Sequence, residues 1–563
     1  MSRSPTSIAR MNKQRFDYVI VGAGSAGCVL ADLLSADGHH SVLLLENGGS
    51  DRSVVIQMPS ALSIPMNMPK YNWFFHTEPE PGLGGRSLHT PRGKVLGGSS
   101  SINGLVYIRG NPLDFERWVG EGATGWGYAD VLPYFRRAER RAEGGNEYRG
   151  ANGKLGTSYG TLSNPLHAAW LVAAEQAGYP HTEDVNGFQQ EGFGRMDMTV
   201  ANGRRCSTAN AYLRPALRRS NLSLVTHALA TRIVFDGRRA TALEYRHGGA
   251  SHTVSVGKEL ILSCGPINSP QLLKLSGVGP SAELRKFNIP VVHDLPGVGE
   301  NLQDHLEFYF QVACTQPITL YSSIKPLAKL MIGARWLLRH DGLGASNHFE
   351  TCGFIRSAAG VEYPDLQYHF LPMAVAYDGS SLAKEHGFQA HIGPMRTKSR
   401  GWVRLRSADP AEKPRICFNY LSHPDDLTEM RACVRLTREI FSQKAFDQYR
   451  GRELQPGDAV QSDQQIDEFV RAKVESAFHP SCSCKMGAAD DPMAVVDPQT
   501  RVHGMEGLRI VDSSIMPSLT TGNLNAPTIM IGEKAADHIL GRTMLPRSTA
   551  PHYIAPNWRN AQR

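Results

Sequence analysis

Residues 17–46, DYVIVGAGSAGCVLADLLSADGHHSVLLLE, constrain the fold more than any other stretch of the chain. Tyr18–Val21 is a short apolar run of the kind a buried parallel strand needs, and it leads into Gly22, Gly24 and Gly27, the GxGxxG spacing. The first glycine permits the tight turn and the second lets a diphosphate approach the backbone. The third lets the following helix pack closely on the strand. Ser25 and Ala26 stand at the start of that helix, whose N-terminal dipole favours phosphate. Glu46 closes a second apolar strand about twenty residues on, where a carboxylate can accept from ribose hydroxyls. Strand, glycine turn, helix, strand and acid together specify a dinucleotide-binding βαβ unit. NAD and FAD both satisfy it.

At 563 residues the chain exceeds one hydrophobic core, so two interleaved domains are expected. Lys and Arg outnumber Asp and Glu by 60 to 53, a mild and scattered excess that argues against a nucleic-acid platform. The arginines of RRAERR (136–141) and Arg218 with Arg219 read first as solvated helix faces, and second as contacts to an anionic membrane surface. No run reaches the roughly 20 apolar residues of a membrane span. The first residues, MSRSPTSIARMNKQ, lack an apolar signal core. Nine cysteines without a disulfide framework fit a reducing, cytoplasmic setting. Cys482 and Cys484 have neither redox nor zinc spacing, and no metal site is expected.

Farther along, Gly97, Gly98 and Ser99–Ser101 form a second small-residue loop suited to lying against a flat or anionic ligand, with the Asn103 amide beside it. Residues 221–264 alternate apolar and polar with turn signals at DGRR and HGGA, the pattern of antiparallel strands that return to a core strand, ELILSCG. Gly265 opens a turn and helix. Another core strand, LRIVD, and a final helix close the chain. The expected fold is α/β, α+β overall: a discontinuous Rossmann-like dinucleotide domain (1–160, 225–312 and 471–563) and a substrate domain (161–224 and 313–470) built on an antiparallel sheet flanked by helices.

GKVLGGSSSINGLVYIRGNPLDFE (Gly93 to Glu116) and GPINSPQLLKLSGVG (Gly265 to Gly279) resemble the two signatures of the glucose, methanol, choline (GMC) family of oxidoreductases. GAGSAG, HPSCSCKMG and GNLNAPTIMIGEKAAD extend the resemblance over nearly the whole chain. VYIRGNPLDFERW, NHFETCGFIRS, EHGFQAHIGPMR and DQYRGRELQPG are similar to its choline-oxidising members. The resemblance implies FAD, held by Gly22, Gly24, Ser25, Ala26, Gly27, Glu46, Gly97, Gly98, Ser99, Asn103, Gly265, Asp512 and Asn523. Asn47 departs from the family's usual alanine without spoiling the turn. Some choline-oxidising relatives bind flavin covalently through a histidine of the second loop, and this chain has Ile102 there, which implies noncovalent FAD.

The implied catalytic pair is His479, handling the hydroxyl proton, and Asn523, a hydrogen-bond donor. Glu307 is implied as the acid facing a quaternary ammonium, with Phe478 as cage surface and Trp73 and Phe349 as further candidates. The implied reaction takes choline to betaine aldehyde, and on to glycine betaine, with electrons passed to a membrane quinone or a dye. It also leaves open peripheral contact with the inner face of the cell membrane. An uncharged alcohol as substrate, or a redox-silent lyase of the same fold, remain as alternatives that the residues alone do not separate.

Overall fold

The computed structural model describes residues 15–376 and 385–563; the N-terminal segment read above for a signal core (1–14) and a short part of the substrate region (377–384) lie outside the described residues. The first βαβ unit forms as its pattern predicts. Strand Arg15–Val21 pairs in parallel with Val42–Glu46, joined by helix Ser25–Leu34. From Tyr18 to Val21 and from Val42 to Leu45 both strands are apolar and buried on both faces.

Around them a seven-stranded sheet assembles from widely separated parts of the chain. Leu222–Thr226 joins beside Val42–Glu46, and Ala250–Leu262 joins on the other side of Arg15–Val21. On its other edge the long strand Ala250–Leu262 has two partners: its first half pairs antiparallel with Arg239–His247, which pairs in turn with Leu229–Asp236, and its end pairs in parallel with Leu508–Ile510. The last helix, Asn525–Leu540, lies on the first. That approach is close enough that a Cβ on Gly532 would meet Val29 Cβ at 3.2 Å and Ala26 Cα at 3.3 Å.

The second large sheet is antiparallel: Arg450–Gln455, Leu306–Cys314, Gly387–Pro394, Leu366–Leu371, Thr351–Ile355 and Gly192–Arg195, with Glu475–Ser476 paired to the start of Leu306–Cys314. One face carries Phe308, Phe310, Phe370, Phe388 and Ile392 and packs with residues of helices Pro165–Gln176 and Pro424–Phe441. The alternate positions carry Glu307, Gln311, Gln367, His369, Gln389 and His391, all buried. Strand side chains point alternately to opposite faces, so this sheet presents an apolar side to its helices and a polar side to the rest of the molecule.

Sheet membership moves three of the expected domain boundaries. Leu222–Thr226, cut by the boundary at 224, lies wholly in the nucleotide sheet; Leu306–Cys314, cut at 312, and Glu475–Ser476, placed beyond 470, lie in the antiparallel sheet. Periodicity identifies a strand but carries no information about its partner, and the partner decides which sheet it joins.

Candidate active site

A single elongated cavity runs from the first βαβ unit to the polar face of the antiparallel sheet. At its first end it is lined by Gly22, Gly24, Ser25, Ala26, Glu46, Gly98, Ser99 and Asn103. Gly265, Asp512, Asn523 and Asn525 follow toward the other end. Gly27 and Gly97, predicted with them, do not line it and act one layer back. A Cβ on Gly27 would sit 1.9 Å from the Gly22 carbonyl oxygen, and Gly97 N–H donates to the Ala23 carbonyl at 2.7 Å, tying the second loop to the first.

The two glycine loops touch backbone to backbone. Gly98 has φ +53° and its Cβ would fall 2.7 Å from Gly24 Cα, so a side chain there is excluded twice, by conformation and by space. Neither helix Ser25–Leu34 nor helix Asn525–Leu540 has a side-chain N-cap, and the Ser25 hydroxyl donates to Asn525 Oδ1 at 2.8 Å, holding the two helix starts together. Ser263 Oγ is buried without a hydrogen-bond partner and its residue lines the same space. Glu46 accepts from the N–H groups of Ala23 (2.9 Å) and Gly48 (2.7 Å), while burial pushes its carboxyl up to about 7. Asp512 accepts from Gly265 N (2.9 Å), Ser269 Oγ (2.6 Å) and Ser514 N (2.8 Å), linking the end of Leu508–Ile510 to helix Gly265–Leu275. Uncapped helix starts, an orphaned hydroxyl and a cradle that only glycine permits fit a dinucleotide with its diphosphate at the first helix.

At the other end, Glu307, Phe349, His369, Phe478, His479 and Asn523 line the cavity, with Trp73 beside them. His479 arrives there by strand pairing. Glu475–Ser476 runs antiparallel to Leu306–Glu307, Ala477 N–H donates to the His305 carbonyl (2.9 Å), and Gln303 bridges Ser481, so His479 stands against His305. Asp304 accepts from His479 N–H (2.7 Å), from Tyr420 Oη (2.6 Å) and from Ser476 Oγ. Burial still leaves that carboxyl raised to about 6. Phe478 has φ +63°, a left-handed conformation uncommon for a bulky residue, held by Ser476 Oγ on its N–H (2.8 Å) and by Arg92 on its carbonyl.

The protonation state of His479 follows from its neighbours. His305 Nε2 lies 3.0 Å from the Met395 carbonyl, a pure acceptor, so that nitrogen carries the proton. Burial lowers His305 to about 4, so the ring is neutral and its Nδ1 accepts. His479 Nδ1, 3.0 Å away, therefore donates, and His479 Nε2 holds a lone pair that accepts from Asn523 Nδ2 at 3.0 Å. Asn523 is oriented in turn, its Oδ1 accepting from Gln367 Nε2 (3.1 Å) and facing His369 Nε2 (3.2 Å). Burial, then His305, His369 and Arg92, hold His479 well below the ordinary imidazole value. The arrangement presents a neutral imidazole with its basic nitrogen on the cavity side of the pair.

A second chain of the same kind fixes Glu307. Gln389 is oriented by Val375, whose N–H donates to Oε1 (2.9 Å) and whose carbonyl accepts from Nε2 (3.0 Å). Gln389 Nε2 also donates to His391 Nε2 (2.7 Å), so His391 Nδ1 carries the proton and donates to Glu307 Oε1 at 2.9 Å. The hydrogen bond orients the Glu307 carboxyl group. Phe349 stands edge-on to His391, ring centroids 5.3 Å apart.

The GMC oxidoreductase family matches residues 16–307 with its N-terminal part and 397–532 with its C-terminal part. An oxygen-dependent choline dehydrogenase of Brucella ovis is 59% identical over 547 residues, covering 97% of this chain and 100% of its own length. The protein of the same name from Photobacterium profundum is 56% identical over 550 residues, 97% of each chain. This chain belongs to the GMC oxidoreductase family. Among solved structures, pyridoxine 4-oxidase from Mesorbium loti superposes with a TM-score of 0.85 at 30% identity, over 94% of this chain and 99% of that one. As a GMC oxidoreductase the chain is an FAD-dependent enzyme, and FAD is the dinucleotide its cavity takes.

Asp304, His305, His369, His391 and Arg92 are additions that this GMC site makes to the residues singled out from sequence. Their signal was present. Asp304 and His305 sit in the same QDHLE run as Glu307, and the Gln and His residues alternate with aromatics in LQYHF and GFQAHI. Polar residues at every second position of a strand that is otherwise apolar mark a buried polar face. Ile102 lies in an apolar cluster with Ile56, Met66, Tyr71 and Val95 and lines the cavity.

Proposed function

We propose that this enzyme oxidises choline to betaine aldehyde, and the aldehyde on to glycine betaine. The observation that carries the reading is one cavity holding two preset groups, the neutral base of His479 and the oriented carboxylate of Glu307, with Phe349, Phe478 and Trp73 on its walls. The names of the Brucella and Photobacterium relatives support it. A trimethylammonium has no hydrogen to donate, so charge and aromatic faces are its available recognition, and a cavity lined by a buried carboxylate and aromatic rings supplies both. His479 Nε2 takes the hydroxyl proton. The Asn523 amide hydrogen that caps Nε2 then serves the oxygen as alkoxide character develops. Asp304 and Arg92 hold the two ends of the Phe478–His479 peptide group, which fixes the backbone that carries the base. Bound FAD supplies the hydride acceptor. The electrons go on to a quinone-class acceptor, from an enzyme in the cytoplasm that contacts the membrane peripherally.

Glu307→Gln keeps size and shape and removes the charge. We expect it to raise KM for choline by about 2 kcal/mol, roughly thirtyfold, a loss in the range of a desolvated cation contact. KM for 3,3-dimethylbutanol should change little. Equal effects on both alcohols remove the cation contact and favour an uncharged substrate. Anaerobic bleaching of the flavin by choline checks the reaction itself, and absence of bleaching points to the redox-silent reading. Ile102 offers no nucleophilic atom, so acid precipitation should release the flavin to the supernatant; a yellow pellet would show a covalent link elsewhere.

A further inference from the structure

Helix Pro326–Arg339, PLAKLMIGARWLLR, has its amphipathic pattern turned outward. At 100° per residue Leu327, Leu330, Met331 and Leu338 share one face with Leu337 at its edge, and Trp336 lies on the opposite side. Trp336 is the buried side chain of the helix, and its Nε1 donates to the Gly203 carbonyl at 2.7 Å. The leucine face is the exposed one: Leu327 68%, Leu330 69%, Met331 59%, Leu337 55% and Leu338 84%. A surface helix ordinarily buries its apolar stripe. Here the stripe faces solvent, in a contiguous patch of the kind that marks an interaction site rather than scattered exposure.

The charges around it have one sign. Arg335 borders the stripe with Arg339 beyond it, Lys325 and Lys329 stand at the start of the helix, and residues 317–340 contain no Asp or Glu. The first acid is Asp341, which pairs with Arg335 at 2.6 Å. We propose that this helix docks the enzyme on an anionic lipid bilayer, lying in the plane of the interface with its leucine face in the acyl boundary and its basic residues at the headgroups. A second copy of the chain is the poorer occupant. A two-fold contact would set the same basic residues against each other, and Asp341, the acid beside the helix, is already paired with Arg335. Crossing the membrane is excluded by length, since 14 residues at about 1.5 Å each fall short of an apolar core about 30 Å thick.

The proposal supplies the surface for the peripheral contact given above and rests on that reading, but not on the identity of the substrate. Gly342–Ala345, directly after the helix, packs on Pro59–Ala61, and the next residue, Leu62, lines the cavity. Docking through this helix holds that wall of the cavity beside the bilayer, where a quinone is dissolved.

The test uses the full-length holoenzyme and sedimentation with vesicles of phosphatidylcholine, alone or mixed equally with phosphatidylglycerol. Wild type should sediment with the mixed vesicles and much less with pure phosphatidylcholine. The double variant Leu330→Gln, Leu338→Gln should lose at least about tenfold in partitioning, given the apolar area withdrawn. Lys329→Glu with Arg339→Glu should lose binding to the mixed vesicles selectively. All variants should keep choline-dependent flavin bleaching in solution, since none touches the cavity. No binding by wild type removes the peripheral contact itself. Equal binding by the leucine variant keeps that contact and overturns this surface, and equal binding to both vesicle types overturns the role of charge. A wild-type dimer in sedimentation velocity that becomes monomeric in the leucine variant assigns the face to a second copy and overturns the proposal. Loss of choline bleaching with vesicle binding intact would count against the substrate and leave the docking surface standing.

Discussion

The role proposed for His479 depends on the proton that its Nε2 does not carry. An imidazole has two nitrogens and one hydrogen when neutral, and the nitrogen that faces the substrate is basic only if the hydrogen sits on the other. Met395 O, His305 and His479 form a chain in which each partner leaves the next a single choice. His305→Leu removes the acceptor for His479 Nδ1–H and frees the ring to place its proton on Nε2. We expect the rate of anaerobic flavin reduction to fall by at least about tenfold with KM for the alcohol nearly unchanged, as for a general base put in the wrong tautomer. Stopped-flow reduction of the flavin measures both. A rise in KM with an unchanged limiting rate would mean that His305 shapes the cavity rather than the base. The type and position of His479 and Glu307 were legible in their motifs. Their tautomers were not, because the atoms that decide them belong to residues distant in sequence, 174 positions apart for His305 and His479.

The antiparallel sheet shows the same division at the scale of an element. Polar residues alternate with apolar ones in LQYHF and GFQAHI, and the polar half faces the cavity because the aromatic half packs on helices. One buried histidine on that helical side has a measurable consequence. His167 in helix Pro165–Gln176 sits 2.9 Å from Thr351 Oγ1 and edge-on to Phe370, and burial lowers it to about 3. The unfolded chain binds a proton near pH 6.5 and the folded chain does not. Stability is therefore fully present above that pH and is lost as pH falls from about 6.5 toward about 3. At pH 5.5 the cost is about 1.4 kcal/mol for this one residue. His167→Gln cannot titrate, so the drop in Tm between pH 8 and pH 5.5 should be smaller for the variant than for wild type by the corresponding few degrees. An equal drop in both would place the acid sensitivity elsewhere.

Across the whole molecule, two sheets meet along one cavity that fits a dinucleotide, and each contributes walls to it. The nucleotide sheet is closed by late parts of the chain: Leu508–Ile510 completes its parallel portion, and Arg137 binds Glu533 (2.6 Å) and Asp537 (2.7 Å) on the last helix. A ligand that touches both sheets and binds only the folded chain should stabilise them as one unit. We expect flavin-free protein to melt earlier in calorimetry and to recover on adding FAD, by about 2.7 kcal/mol at a hundredfold excess over Kd. Two transitions, of which only one responds to FAD, would show that the sheets unfold separately.

By itself the sequence determined the βαβ nucleotide unit, the second glycine loop and the strand-forming alternation. These depend on neighbours within a turn, a strand or a short helix, and local spacing is enough to specify them. Tertiary structure decided which strands belong to which sheet, which nitrogen of His479 is basic and how Glu307 is aimed. Those properties are set by backbone pairing between 303–307 and 475–481, by the last helix packing on the first, and by hydrogen bonds whose donors and acceptors become neighbours only when the chain is folded.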